Sequence, residues 1–265
     1  MSIVTISRGS YSRGKDVAEK VAERLGYRCI SREILAQASG EFHVQQAELL
    51  AAIQNPPSFL DRFTFGKERY MAYVRAALLD HFQKNDVVYH GLAGHFFVKA
   101  VSHVLKVRII AEIGDRVELV MEREGMSRDA AAQFLKKLDD ERRRWSLHLY
   151  GIDTRDPSLY DLVLHIKKLT ADDAADIVCH TIDSGRFSPT TESQQALDDL
   201  LLAARVRAKL IEDHPRINVS AHSGAVYVGV EGVSSREERT IRESITAIAD
   251  VRGVEISAIP FVTPD

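Results

Sequence analysis

The residues whose spacing most directly implies chemistry lie near the amino terminus, where Gly9-Ser10-Tyr11-Ser12-Arg13-Gly14-Lys15-Asp16 follows an apolar run and precedes a helix-like pattern. Gly9-x-x-x-x-Gly14-Lys15 has the spacing of a phosphate-binding loop. In such loops glycines let successive backbone N–H groups turn inward around phosphate oxygens, and the next helix aims its positive end at them. Lys15 would neutralise charge between β- and γ-phosphates. The position after it, which in this motif is a Ser or Thr that ligates Mg²⁺, is Asp16. A carboxylate there can hold Mg²⁺, or it can serve as an acidic residue at a helix N-terminus. Both readings stay open.

A second group of candidates is cationic. Arg142, Arg143 and Arg144 follow Lys136 and Lys137 in one helical stretch, and consecutive arginines on a helix point in different directions, so at most one or two can converge on phosphates. The alternative for this run is a solvated face paired with Asp139, Asp140 and Glu141. His90, His95 and His103 match no zinc spacing, and Cys29 and Cys179 are the only cysteines, which fits a reducing compartment better than a disulfide framework.

Periodicity supplies the elements that must hold these residues. β-Branched residues Ile3, Val4 and Ile6 mark a strand over 2–8. Val17, Ala18, Val21, Ala22 and Leu25 recur at helical spacing up to a stop at Gly26. Further strands are expected at 27–30, 86–90, 104–113 and 162–166. Helices alternate with them, including a helical insertion over about 42–83 interrupted at Pro56-Pro57. Alternation of this kind implies a parallel sheet covered on both faces. The polar, Gly- and Pro-containing stretch 184–195 reads as a linker. After it, a helix at 196–212, strands at 216–220 and 225–230, a helix at 235–250 and a strand at 254–261 form a small α+β unit. The expected organisation is therefore an α/β P-loop domain over 1–183, a linker over 184–195 and a small domain over 196–265.

With 265 residues the chain is long enough for two such units. A net charge of −3 gives no basic bias toward nucleic acid, and no apolar run suits a signal peptide or membrane span, so a cytoplasmic protein without nucleic-acid or membrane partners is expected.

From Ile6-Ser7-Arg8-Gly9 through Gly26 to Ser31-Arg32-Glu33-Ile34-Leu35, the chain resembles the cytidylate kinase-like family of P-loop kinases. Gly91-Leu92-Ala93-Gly94-His95, Asp115-Arg116, Asp139-Asp140-Glu141-Arg142, Tyr150-Gly151-Ile152-Asp153 and Asp156-Pro157-Ser158-Leu159-Tyr160-Asp161 continue it in the family's order. The resemblance implies transfer of the ATP γ-phosphoryl group to a nucleoside monophosphate, CMP or dCMP, with Mg²⁺ accompanying ATP. It implies catalytic roles for Lys15 and Arg142, with Arg32, Glu33, Gly91, Gly94, His95 and Asp161 toward the acceptor; Arg108 is read as structural. Many relatives carry Arg after the glycine that ends the third strand, where this chain has Leu92, and no acid ends that strand. An alternative reading follows: a nucleotide-binding sensor with weak or lost transfer, acting through the tail. Residues 196–264 resemble a BON-type domain, which implies a small-molecule or protein ligand for that unit.

Overall fold

The structure, a computed structural model, describes residues 2–54, 66–91 and 94–259. The Pro56-Pro57 interruption, Leu92, Ala93 and the chain after 259 lie outside them.

Five strands form one parallel sheet: β1 (Ile3–Arg8), β2 (Arg28–Ile30), β3 (Val87–His90), β4 (Val104–Ala111) and β5 (Leu162–Ile166), in the order β2-β3-β1-β4-β5. The strands are rich in Val, Ile and Leu because both faces are covered. One face, carrying Val4, Ile6, Val107 and Ile109, packs on α1 (Gly14–Leu25) and α8 (Ala171–Asp183). The other, carrying Ile3, Val87, Tyr89 and Val104, meets α2 (Glu33–Phe42), α3 (Gln46–Gln54) and α4 (Gly66–Gln83). A helical turn, α5 (Gly94–Phe97), follows β3, while α6 (Ile113–Glu124) and α7 (Arg128–Tyr150) form a helical pair over the carboxyl ends of the strands. The long α7 starts at Ser127, whose side chain accepts a hydrogen bond from the Ala130 amide.

The carboxyl-terminal unit comprises α9 (Thr191–Leu210), β6 (Asn218–His222), β7 (Ala225–Glu231), α10 (Ser235–Thr246) and β8 (Gly253–Ile259). Its sheet has the order β6-β7-β8, with the first pair antiparallel and the second parallel. Helix α9 begins inside the stretch read as linker. Thr190 and Ser193 cap it reciprocally, and Ser193 Oγ lies 2.7 Å from Nδ1 of the buried His103. Its apolar face packs along α4, so that Leu197 and Leu201 share one hydrophobic cluster with Leu78, Phe82 and Trp145. Polar contacts frame this seam: Arg205 pairs with Asp80 at 2.7 Å, and the Tyr73 hydroxyl donates to Glu212 at 2.9 Å.

Candidate active site

Strand β1 is central, and the chain leaves its carboxyl end at Gly9. Connections depart to opposite sides of β1 here, which is the place where open α/β sheets form a ligand crevice. The loop from Gly9 to Arg13 is pinned from below: the Gly9 amide donates to the Ile109 carbonyl, and Ser12 Oγ donates to the carbonyls of Gly9 and Ile109 at 2.9 and 3.2 Å. Tyr11 (φ 56°) and Arg13 (φ 60°) adopt the left-handed region, where non-glycine residues are uncommon outside turns and functional sites. Arg13 stands at the N-cap of α1 without a side-chain cap, so the first-turn amides have no side-chain acceptor from it.

A cleft of about 700 Å³ opens beside this loop, with seven guanidinium groups among its lining residues: Arg8, Arg32, Arg108, Arg116, Arg142, Arg143 and Arg155. Two carboxylates, Asp139 and Glu141, accompany them. Such an excess in a concave surface focuses a positive potential and suits a polyanion. Arg116 donates to the Ser10 carbonyl and pairs with Asp139, both at 2.7 Å; Asp139 also accepts from the Ser10 amide at 3.4 Å. A carboxylate from α7 thus already engages a phosphate-loop amide. Arg142 donates to the Arg8 carbonyl at 3.2 Å; burial, then the charge of Arg8, lowers its pKa. Arg143 is turned to Asp153 (Nε–Oδ2 2.9 Å) and Arg144 to the Asp140 carbonyl, so helical geometry sends one of the three consecutive arginines toward the loop.

Of the residues expected from sequence, Gly9, Arg32, Gly91, His95 and Arg142 line this cleft. Gly91 and Gly94 fit around the Tyr89 ring, where a Cβ would come within 2.3 and 2.4 Å of its atoms. His95 is 5% exposed, stacks at an angle on Phe96 and Tyr160, and leaves Nε2 without a hydrogen-bond partner. Burial, then Arg108 and Lys106, pushes its pKa down to about 3, so the ring is neutral at neutral pH. Gly14 sits against the Arg8 side chain. Lys15 is 60% exposed and pairs with Glu19 at 3.5 Å, outside the cleft lining. Glu33 folds back, its carboxylate accepting from the Ser31 amide at 2.6 Å; burial pushes its pKa up, but backbone N–H bonds outweigh this and hold it low. Asp161 accepts from the Lys106 amide at 2.8 Å and lies at the start of β5, away from the main cleft.

A Mg²⁺ ion asks for hard oxygen donors, commonly one or two carboxylates completed by phosphate and water. Among the described residues no group of three His, Cys, Asp or Glu side chains could hold a metal. The first turn of α1 does present the Asp16 carboxylate, and the loop also carries Ser10 Oγ, buried and without a partner. Each is a hard oxygen donor of the kind taken by a metal brought in on a polyphosphate.

The model of the family described as "Cytidylate kinase-like family" matches residues 3–168. The chain belongs to that family. It is 28% identical over 183 residues to a cytidylate kinase from Archaeoglobus fulgidus, covering 68% of this chain and 94% of that one. A cytidylate kinase from Pyrococcus horikoshii is 34% identical over 101 residues, 38% of this chain and 52% of that protein. The chain thus spans about half the length of several curated relatives it matches. An uncharacterised protein from Eubacterium ventriosum has the same fold, with a TM-score of 0.54 and 21% identity over 69% of this chain and 99% of that one.

Four members of the arginine-rich cleft, Arg8, Arg108, Arg116 and Arg155, carried no site role in the sequence reading. Arg8 and Arg116 stand inside quoted family segments, at the end of β1 and in the first turn of α6, without a spacing of their own to mark them. Arg108 was read as structural, yet its side chain lines the cleft while bonding the Tyr160 hydroxyl at 3.3 Å.

Proposed function

We propose that this family member transfers the γ-phosphoryl group of ATP to a nucleoside monophosphate of the cytidine or deoxycytidine type. The supporting observation is the arrangement of Arg142 and Arg32, which reach one cleft with the phosphate loop from α7 and from the β2–α2 connection. Phosphoryl transfer relies chiefly on positioned positive charge around a charge-spread group, and this cleft supplies guanidinium groups on several sides. The cytidine preference rests on the family and on its named relatives.

In this reading the loop amides and the N-terminus of α1 hold the donor phosphates, displacing the Asp139 carboxylate from the Ser10 amide. Lys15 exchanges its pair with Glu19, a surface contact worth about 0–1 kcal/mol, for the polyphosphate. Asp16 would hold Mg²⁺, which when bound shields phosphate charge. Arg32 orients the acceptor phosphate. One of that phosphate's oxygens attacks the γ-phosphorus, the bond to the β,γ-bridging oxygen breaks, and the electron pair leaves with ADP. The acceptor is already an oxyanion, so no general base is required. His95, neutral and with a free ring nitrogen, offers a hydrogen bond to an uncharged part of the acceptor.

The test is incubation of the protein with ATP, Mg²⁺ and a panel of nucleoside monophosphates, with products resolved by chromatography. CDP or dCDP is expected. Lys15→Ala should lower turnover by about 100-fold, the scale of losing one charge-stabilising donor. Absence of any diphosphate overturns the kinase reading. The packing of α9 against α4 favours a second reading, a nucleotide-responsive sensor acting through the tail. It predicts nucleotide binding without turnover, together with a changed tail response in Arg205→Ala, which breaks the pair with Asp80.

A further inference from the structure

Arg8 closes strand β1, one residue before the phosphate loop, and its position is unusually constrained. Its Cβ, Cγ and Cδ run along Gly14 so closely that a Cβ on residue 14 would lie 2.6 Å from Arg8 Cβ. This carries the side chain across the start of α1, on the side where the β2–α2 connection and the end of β3 stand. The guanidinium is within electrostatic reach of Arg32, Asp16, Tyr89 and His90, and of Arg142 from α7. It makes no hydrogen bond or ion pair among the described residues, although Arg8 lines the cleft.

Two guanidinium groups, Arg8 and Arg142, are thus held near each other while neither has a carboxylate ion pair among the described residues. The one hydrogen bond between them runs from Arg142 to the Arg8 backbone carbonyl, which leaves the Arg8 fork unused. Burial lowers the pKa of Arg8, with Arg32 adding to the effect, so the charge is kept there at a cost. Arginine presents a planar pair of donors matched to phosphate oxygens, and a half-buried fork that faces a cleft without a partner suits an oxyanion.

We infer that Arg8 clamps the phosphoryl group at the junction of donor and acceptor, gripping equatorial oxygens from the β1 side while Arg142 grips from α7. Its ligand is a phosphate chain that spans both substrates, in contrast to the donor triphosphate alone. This rests on the kinase reading for its chemistry. The geometry of the clamp can be tested without turnover.

Arg8→Gln and Arg8→Lys are compared with the wild-type full chain by calorimetric titration. One probe is ATP and the other is a dinucleoside polyphosphate joining adenosine to cytidine through five phosphates. For Arg8→Gln, affinity for the spanning probe should fall about 100-fold while ATP affinity stays within about threefold; Arg8→Lys, with charge but no fork, should fall about 10-fold. Turnover should follow the spanning probe, with kcat reduced and the KM for ATP little changed. The ligand-free Tm of Arg8→Gln should equal or exceed that of the wild type, because a like-charge contact is relieved, whereas Arg8→Lys, which keeps the charge, should leave it little changed. The inference is overturned if the spanning probe binds Arg8→Gln within threefold of wild type, if ATP affinity falls equally, if wild type does not bind the probe, or if Arg8→Gln loses ligand-free stability. A wild type without turnover whose probe affinity still depends on Arg8 would sink the kinase reading and leave the clamp standing.

Discussion

At Gly14 the backbone has no room for a side chain, because the first carbon would press on the Arg8 stem with less than 3 Å between carbons. Gly14→Ala should therefore move either Arg8 or the loop. Overpacking of this kind typically costs about 1–3 kcal/mol, and the displaced amides should weaken ATP binding; denaturant unfolding and calorimetric titration check the two effects. The histidines set a pH dependence. Burial, with Arg8 next, pushes His90 down to about 4, and His95 lies at about 3, against about 6.5 in an unfolded chain. Between these values the unfolded state binds more protons, so stability is full above pH 6.5 and falls as the pH is lowered toward 4. Each histidine contributes a slope of at most about 1.4 kcal/mol per pH unit. Denaturation midpoints at pH 7, 6 and 5 should show the decline, and His90→Asn should flatten it. At this scale the sequence was informative where spacing carries meaning, as in Gly9-x-x-x-x-Gly14. It was silent on Arg8, because a single arginine at a strand end looks the same whether its fork meets solvent or a cleft.

The elements were more legible than the residues. Strand β5 occupies the expected 162–166, and β1, β3 and β4 fall within one or two residues of their expected bounds, because buried parallel strands read as continuous apolar runs. The start of α9 was displaced. Its capping box pairs Thr190 with Ser193, and a Ser at the third position lacks the Glu or Gln that usually marks this signal, so the polar stretch read as linker. The same Ser193 hydroxyl partners His103, which is fully buried between the sheet and α9. Ser193→Ala removes half of the cap and leaves the His103 Nδ1 unpaired. A loss of about 2 kcal/mol is expected in urea unfolding, the sum of a weakened cap and an unsatisfied buried polar atom.

Across the whole molecule, periodicity indicated that α9 has an apolar face but not which surface covers it, since many surfaces satisfy the same stripe. In the structure that surface is α4, and the resulting cluster runs from Leu201 through Leu78 to Trp145 beside the cleft. No described helix is long and apolar enough to cross a membrane. The shared core makes cooperativity between the two units a physical expectation. Trp145 is the only tryptophan, 3% exposed, and so reports on the kinase-like unit by fluorescence. Leu201→Ala, in the tail, removes a side chain that is 4% exposed and should cost about 2–5 kcal/mol. If the units unfold together, the Trp145 fluorescence transition shifts by the same free energy as the far-UV circular dichroism transition, and both curves remain single sigmoids. If α9 merely rests on α4, the fluorescence transition stays in place while the dichroism curve splits in two. Coincident shifts would mean that the cleft's stability depends on the tail, which is the physical coupling any ligand of the carboxyl-terminal unit would need in order to act on phosphoryl transfer.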